Sequence, residues 1–217
     1  MSFPRYDEVA RQILEIVKQT GIELAMVVGG GNIFRGRERA DYVDQNEADS
    51  IGMLATIMNG IALREAFVRN GAEDTRLMTT IHLPELAEPY IRLKAKHHLD
   101  EHRLIVLAGG LGRPGFSTDS AVAQFASELG CEMVLKASTV DGIYNCDPRK
   151  YSEAQKLKKI SFKYALQNGL EAMDSTAFAM CMRSNIPIFV FDILDLDKLP
   201  EILKGNFSFG TLVNGEV

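Results

Sequence analysis

Apolar residues recur at helical spacing over residues 7–18, where Val9, Ile13, Ile16 and Val17 share a face, and Gly21 supplies a C-terminal stop. Residues 22–28 then form an apolar run that reads as a buried strand. A second, longer helix fits residues 49–69 and closes at Gly71. Short strands are predicted over 75–80 and, more strongly, 104–108. A helix over 118–129, a strand over 133–135, a helix over 173–183 and a strand over 188–191 complete the pattern.

Strands alternating with helices predict a parallel, helix-covered α/β sheet, and such sheets bind ligands beyond the carboxyl ends of their strands. The chain shows no internal repeat, low-complexity tract or linker, so one continuous domain over 1–217 is expected.

Two strand ends carry unusual glycine content. Val28-Gly-Gly-Gly-Asn32 follows the first strand, and Leu107-Ala-Gly-Gly-Leu-Gly-Arg-Pro-Gly-Phe-Ser-Thr-Asp119 follows the 104–108 strand. Each is expected to lead into a helix. Glycine lets main-chain N–H groups approach phosphate oxygens, and a helix N-terminus adds a favourable field. Arg35 and Arg37, or Arg113, can add charge-assisted contacts to the same anion. The plainer reading is two tight turns with solvated arginines, but two such turns at strand ends favour phosphate binding. No Walker A loop occurs. Gly110, Gly112 and Gly115 spell G-x-G-x-x-G, yet Pro114 inside it leaves no room for a helix to begin there.

Composition narrows the class. The 217 residues are 46% hydrophobic and 24% charged, which is ordinary for a globular chain. A net charge of −5 argues against a general nucleic-acid binder. Cys131, Cys146 and Cys181 are widely spaced and odd in number, which fits reduced thiols in a cytoplasmic protein. No apolar run is read as approaching the roughly 20 residues of a membrane span. Met1-Ser-Phe-Pro-Arg-Tyr-Asp7 has no signal-peptide core.

The third informative stretch is Lys136-Ala-Ser-Thr-Val-Asp-Gly-Ile-Tyr-Asn-Cys-Asp-Pro148. It resembles the nucleotide-binding segment of the amino-acid-kinase family, with its pattern K-A-[ST]-x-V-D-G-[VI]-[YF]-x-x-D-P. Gly29-Gly-Gly-Asn-Ile-Phe-Arg-Gly36, the Asp49 to Gly60 stretch D-x-x-G-M-L-A-T-x-M-N-G, and Gly115-Phe-Ser-Thr-Asp-Ser120 extend the resemblance in order over nearly the whole chain.

The resemblance implies a three-layer αβα sandwich with a mostly parallel central sheet, assembled as a homohexamer and open to a nucleotide effector. It implies transfer of the γ-phosphoryl group of ATP, carried with Mg2+, to UMP. Matched residue by residue, it places Gly30 against UMP, Gly31 and Arg35 against ATP, and Asp49 at the UMP ribose. Leu111, Gly112, Arg113, Pro114, Gly115, Phe116, Ser117 and Thr118 match the loop that wraps the acceptor. Ser138, Tyr144 and Asp147 match the adenosine contacts. On this matching the triple glycine stands where the phosphates of the two nucleotides meet. Asp119 matches a position that organises phosphate-contacting groups; capping the helix that follows is its other reading.

Two departures accompany the match. The family's opening strand and Lys-x-Ser-Gly turn have no counterpart here, so the expected sheet lacks its first strand and transfer is expected to be slow. Related enzymes read G-T-G-N-P-F-F-[TS]-T-D where this chain has Gly110-Leu-Gly-Arg-Pro-Gly-Phe-Ser-Thr-Asp119. A catalytically impaired nucleotide-binding or oxyanion-storage relative on the same fold is therefore the second reading. His97, His98 and His102 read as a solvated helix end in preference to a metal site. Met53, Met58, Met173, Met180 and Met182 read as core or subunit packing. Lys136, taken as a strand-end residue, is open between phosphate contact and solvation.

Overall fold

The first helix, α1 (Phe3–Thr20), starts four residues earlier than the periodicity predicts because Pro4 suits a first turn. It ends where Gly21 adopts φ 68° and donates its N–H to the Val17 carbonyl. Residues 1–35, 42–148, 150–170 and 172–215 are described in this computed structural model. They cluster into two compact units, Met1–Ala121 and Val122–Val217.

The first unit holds β1 (Ala25–Val27), α2 (Gln45–Arg69), β2 (Arg76–Thr79), β3 (Glu88–Pro89), α3 (Arg92–Asp100) and β4 (Ile105–Ala108). Its sheet has the order β1-β4-β2-β3 and every pair is parallel. β4 is central and all four of its residues are buried. β1 was expected to be buried but is half-buried, because within its sheet it pairs on one side only. Asp44 accepts the Asn46 N–H and so starts α2 four residues before the expected position.

α2 packs against α1, β2 and β4 and buries Ala55, Ile57, Leu63, Ala66 and Phe67. An 18-residue window of it reaches a mean hydropathy of 1.4 with few charges, so by length and composition it passes for a membrane span, contrary to the sequence reading. Half of that window is buried inside the fold, which makes α2 a core helix. Gly60 explains how closely it lies on the sheet. A Cβ there would come within 2.8 Å of Leu77 Cδ1 and 3.2 Å of Ala108 Cβ.

α4 (Thr118–Leu129) begins in the first unit and continues into the second. The second unit holds β5 (Val134–Ser138), β6 (Ile143–Tyr144), β7 (Lys156–Leu157), β8 (Lys159–Ser161), α5 (Phe162–Gln167), α6 (Ser175–Ser184), β9 (Ile188–Asp192), α7 (Leu199–Leu203) and β10 (Gly210–Asn214). Its sheet runs β5-β9-β10-β8, with β10 antiparallel to β9 and the other two pairs parallel. β6 and β7 form an antiparallel ribbon. Ile188, Phe189, Val190 and Phe178 anchor this core. The mostly parallel α/β class is thus observed.

The methionines divide. Met173 is buried, whereas Met58 and Met182 are exposed and are not core residues. Cys131, Cys146 and Cys181 form no disulfide among the described residues, and burial pushes the Cys181 thiol up to about 11, which keeps it protonated and unreactive.

Phe67→Ala is expected to destabilise the protein by about 3–5 kcal/mol, since it empties a fully buried site beneath α2. Met58→Ala, on the exposed face of the same helix, should stay within about 0.5 kcal/mol of the parent. Denaturant unfolding compares the two.

Candidate active site

The turn after β1 is the most distinctive backbone in the first unit. The Ile33 and Phe34 N–H groups both donate to the Gly30 carbonyl, at 2.9 and 3.0 Å, closing a tight turn. This corrects the expectation of a helix beginning directly there: residues 31–33 form a turn, and among the described residues the next helix is α2. The main-chain N–H groups of Gly29, Gly30 and Gly31 donate to no acceptor among the described residues. Three successive open donors at a strand end are suited to meeting an anion.

Gly30 is buried, and its lack of a side chain has a different cause from the one the sequence suggests. A Cβ there would lie 2.7 Å from the Gly52 carbonyl oxygen and 2.9 Å from Ala55 Cβ, both on α2. Packing against α2 already excludes it, before any nucleotide is considered. At Gly31 a Cβ would meet nothing within 4 Å. A side chain at Gly31 would therefore meet open space among the described residues. Arg35 Nε donates to the Gly31 carbonyl at 3.0 Å, which brings the guanidinium to the turn. Arg37 falls in residues 36–41, outside the described residues.

The loop after β4 converges on the same place within the unit. Gly109 has φ 86° and is gripped from both sides. Its N–H donates to the buried Thr56 hydroxyl at 2.7 Å, while Thr80 Oγ1 donates to its carbonyl at 2.9 Å. A Cβ there would come within 2.7 Å of both Thr79 and Thr80 hydroxyls, so only glycine fits. Further along, the Gly115 N–H donates to Asp49 Oδ2 at 2.7 Å, and Gln45 donates to Asp49 Oδ1 at 2.7 Å. Asp49 thus tethers the 111–118 loop to α2. Leu111 and Gly112 are half-buried, whereas Arg113, Pro114, Gly115, Phe116 and Ser117 are exposed. Thr118 returns to the glycine turn, its hydroxyl 3.8 Å from where a Cβ on Gly29 would stand.

The cap of α4 is a correction. The Ser117 hydroxyl, not Asp119, accepts the Asp119 and Ser120 N–H groups, at 3.0 and 3.2 Å. Asp119 lies in the first helical turn, where a carboxylate is favoured by the helix field.

In the second unit, Ser138 ends β5 opposite Asp192 of β9. Lys136 was taken as a strand-end residue but is the middle residue of β5. Tyr144 is fixed by a residue the sequence reading passed over: its hydroxyl donates to Asp141 Oδ1 at 2.7 Å, and Lys156 Nζ donates to Asp141 Oδ2 at 2.9 Å. Burial pushes the Asp141 carboxyl upward, but hydrogen bonds from Lys156 and Tyr144 and the Lys156 charge outweigh it, so it titrates below its ordinary value of 3.8. The hydrogen bond to Asp141, helped by burial, raises the Tyr144 phenol. Asp141 carried one legible signal, the V-D-G segment itself; its pairing with Lys156 did not show. Asp147 lies in the loop beyond β6, and its carbonyl accepts the Lys150 and Tyr151 N–H groups, each at 3.0 Å.

His98 corrects another expectation, while His97 and His102 are exposed as expected. His98 is buried between Glu88 Oε2 and an Arg103 guanidinium nitrogen, each 3.1 Å from a ring nitrogen, and is not part of a solvated helix end. Among the described residues no group of three His, Cys, Asp or Glu side chains is arranged to hold a metal ion.

Parallel strands ending in a glycine turn of open N–H groups, with an arginine and a tethered loop beside it, define an α/β protein of the kinase class. The chain belongs to the amino acid kinase family, whose model matches residues 3–192. It is 42% identical over 210 residues to the uridylate kinase of Corynebacterium jeikeium (strain K411), covering 96% of this chain and 84% of that one. Crystal structures of UMP kinase from Bacillus anthracis (35% identical, TM-score 0.95, 100% of this chain and 89% of that one) and from Ureaplasma parvum (32%, TM-score 0.90, 99% and 90%) are also similar.

Asp141→Asn is expected to lower the thermal midpoint at pH 7. The folded carboxyl titrates below its unfolded value, so its contribution is full above that value and fades as pH falls through the folded one. The difference between parent and variant should therefore shrink toward pH 3. Thermal scans across pH check the trend.

Proposed function

We propose that this chain transfers the γ-phosphoryl group of ATP to UMP, giving UDP and ADP. The observation that carries the reading is the run of three open N–H groups at Gly29–Gly31, and relatives named uridylate kinase support the choice of acceptor. An oxygen of the UMP phosphate attacks the γ-phosphorus, the bond to the β–γ bridging oxygen breaks, and its electron pair leaves with ADP. A phosphate monoester has its second pKa near 6, so the attacking oxygen is already deprotonated at pH 7 and needs no general base. The chain's task is positioning and neutralising oxygen charge.

Gly30 serves the UMP phosphate, and Gly31 and Arg35 the phosphates of ATP. Asp49 takes the UMP ribose: a carboxylate offers about four lone-pair sites, so it can keep the Gly115 N–H and accept a hydroxyl as well. The 111–118 loop encloses the acceptor, and Asp119 organises the groups around the phosphates. Ser138, Tyr144 and Asp147 hold adenosine, with Asp141 keeping Tyr144 in place. Mg2+ would arrive on ATP and would help neutralise charge on its phosphate oxygens. The reading includes one kinase domain, a homohexamer, a cytoplasmic location and a nucleotide effector. Size-exclusion chromatography with light scattering reads the assembly.

The test is UDP formation from ATP and UMP, with CMP and AMP as competitors. UDP formation with preference for UMP is expected, and none above background would overturn the proposal. Asp49→Ala should lower kcat/KM for UMP by roughly tenfold to a hundredfold, the value of a charge-assisted hydrogen bond, with KM for ATP within about twofold. Asp147→Ala should do the reverse, raising KM for ATP and sparing UMP.

A further inference from the structure

The glycine cradle raises a problem that its own residues do not solve. Two adjacent glycines tolerate either orientation of the peptide between them, so the Gly29–Gly30 unit is free to turn over. A trans peptide directs its C=O and N–H in opposite directions. Whatever holds the Gly29 carbonyl therefore decides where the Gly30 N–H points.

That group is Asn59, on the buried side of α2 and 5% exposed. Its Nδ2 donates to the Gly29 carbonyl at 2.7 Å and to Asn32 Oδ1 at 2.6 Å. Its Oδ1 accepts from the Tyr6 hydroxyl of α1 at 2.6 Å and from Asn32 Nδ2 at 3.2 Å. A carbonyl only accepts, so the atom facing Gly29 must be the amide nitrogen, and this fixes the orientation of the whole side chain. Both donors and both lone pairs are used. A fully satisfied buried amide has no competing arrangement to relax into.

We propose that Asn59 is a positioning residue for the reaction described above. By clamping the Gly29 carbonyl toward α2, it turns the Gly30 N–H away from the helix toward the acceptor phosphate. Tyr6 and Asn32 set the orientation of Asn59. The inference rests on the kinase reading for its kinetic consequence, but its structural content is independent of it.

Asn59→Asp is the direct test. Aspartate keeps the volume and still accepts from Tyr6 and Asn32, but has no N–H for Gly29 and sets a carboxylate against its carbonyl. The expected result is kcat/KM for UMP lower by roughly tenfold to a hundredfold, KM for ATP within about twofold, and the Gly29–Gly30 peptide reversed in a crystal structure. Parental kcat/KM for UMP with the peptide unturned would overturn the proposal. A merely structural residue would shift the thermal midpoint without separating UMP from ATP. If Asn59→Asp does not fold, Tyr6→Phe decides. Removing that one hydroxyl should lower kcat/KM for UMP severalfold, and parental kinetics would overturn the proposal. A parent chain that makes no UDP would sink the kinase reading; the peptide's orientation in the variant crystal would still decide the role of Asn59.

Discussion

The close approach of α2 to the ends of β1 and β4 is the constraint on which the first unit depends. It is possible only because Gly30 and Gly60 present no side chains at the contact, each facing heavy atoms within 3 Å of where a Cβ would stand. The approach brings one turn of α2 within reach of both glycine-rich loops. Thr56 takes the N–H of Gly109, Asn59 takes the carbonyl of Gly29, and Asp49, two turns earlier, takes the N–H of Gly115. One helix thus holds three separate backbone segments by side-chain hydrogen bonds. A loop of glycines loses much conformational entropy on ordering, and these bonds from a rigid helix offset that cost.

The candidate regions of the two units are built differently. The turn at Gly29–Gly31 offers main-chain N–H groups, with the Arg35 guanidinium held beside it, an arrangement suited to oxygen geometry in preference to any base. The region around Tyr144 is made of side chains, and its rigidity comes from the Lys156–Asp141–Tyr144 chain of charge-assisted hydrogen bonds. Thr211 adds to it by accepting the Ile143 N–H at 2.8 Å and donating to the Leu157 carbonyl, which ties the β6–β7 ribbon to β10.

Local pattern was sufficient for much of the fold. The α/β class, the helices α1, α2, α4 and α6, and the strands β1, β2, β4, β5 and β9 follow from apolar periodicity, glycine stops and acidic caps, because those signals act within a few residues. The glycine turns and the 136–148 segment were legible for the same reason. The elements that escaped, α3, α5, α7, β3, β8, β10 and the β6–β7 ribbon, are short or polar and owe their state to partners distant in sequence. Asn59, Thr56 and Asp141 were equally silent as positioning groups, since an Asn or Thr within a helix looks the same whether it clamps a loop or meets solvent.

The sequence by itself determined which residue types stand at the strand ends and, through their order, the family. Tertiary structure alone decided what each of them does. Gly30 is glycine because α2 leaves no room, Ser117 displaces Asp119 as the helix cap, His98 is enclosed by Glu88 and Arg103, and a helix apolar enough for a membrane lies on a sheet instead. Each of these outcomes is a matter of distance between residues remote in the chain or of competition between neighbouring side chains for one backbone group. Composition and spacing carry no record of either.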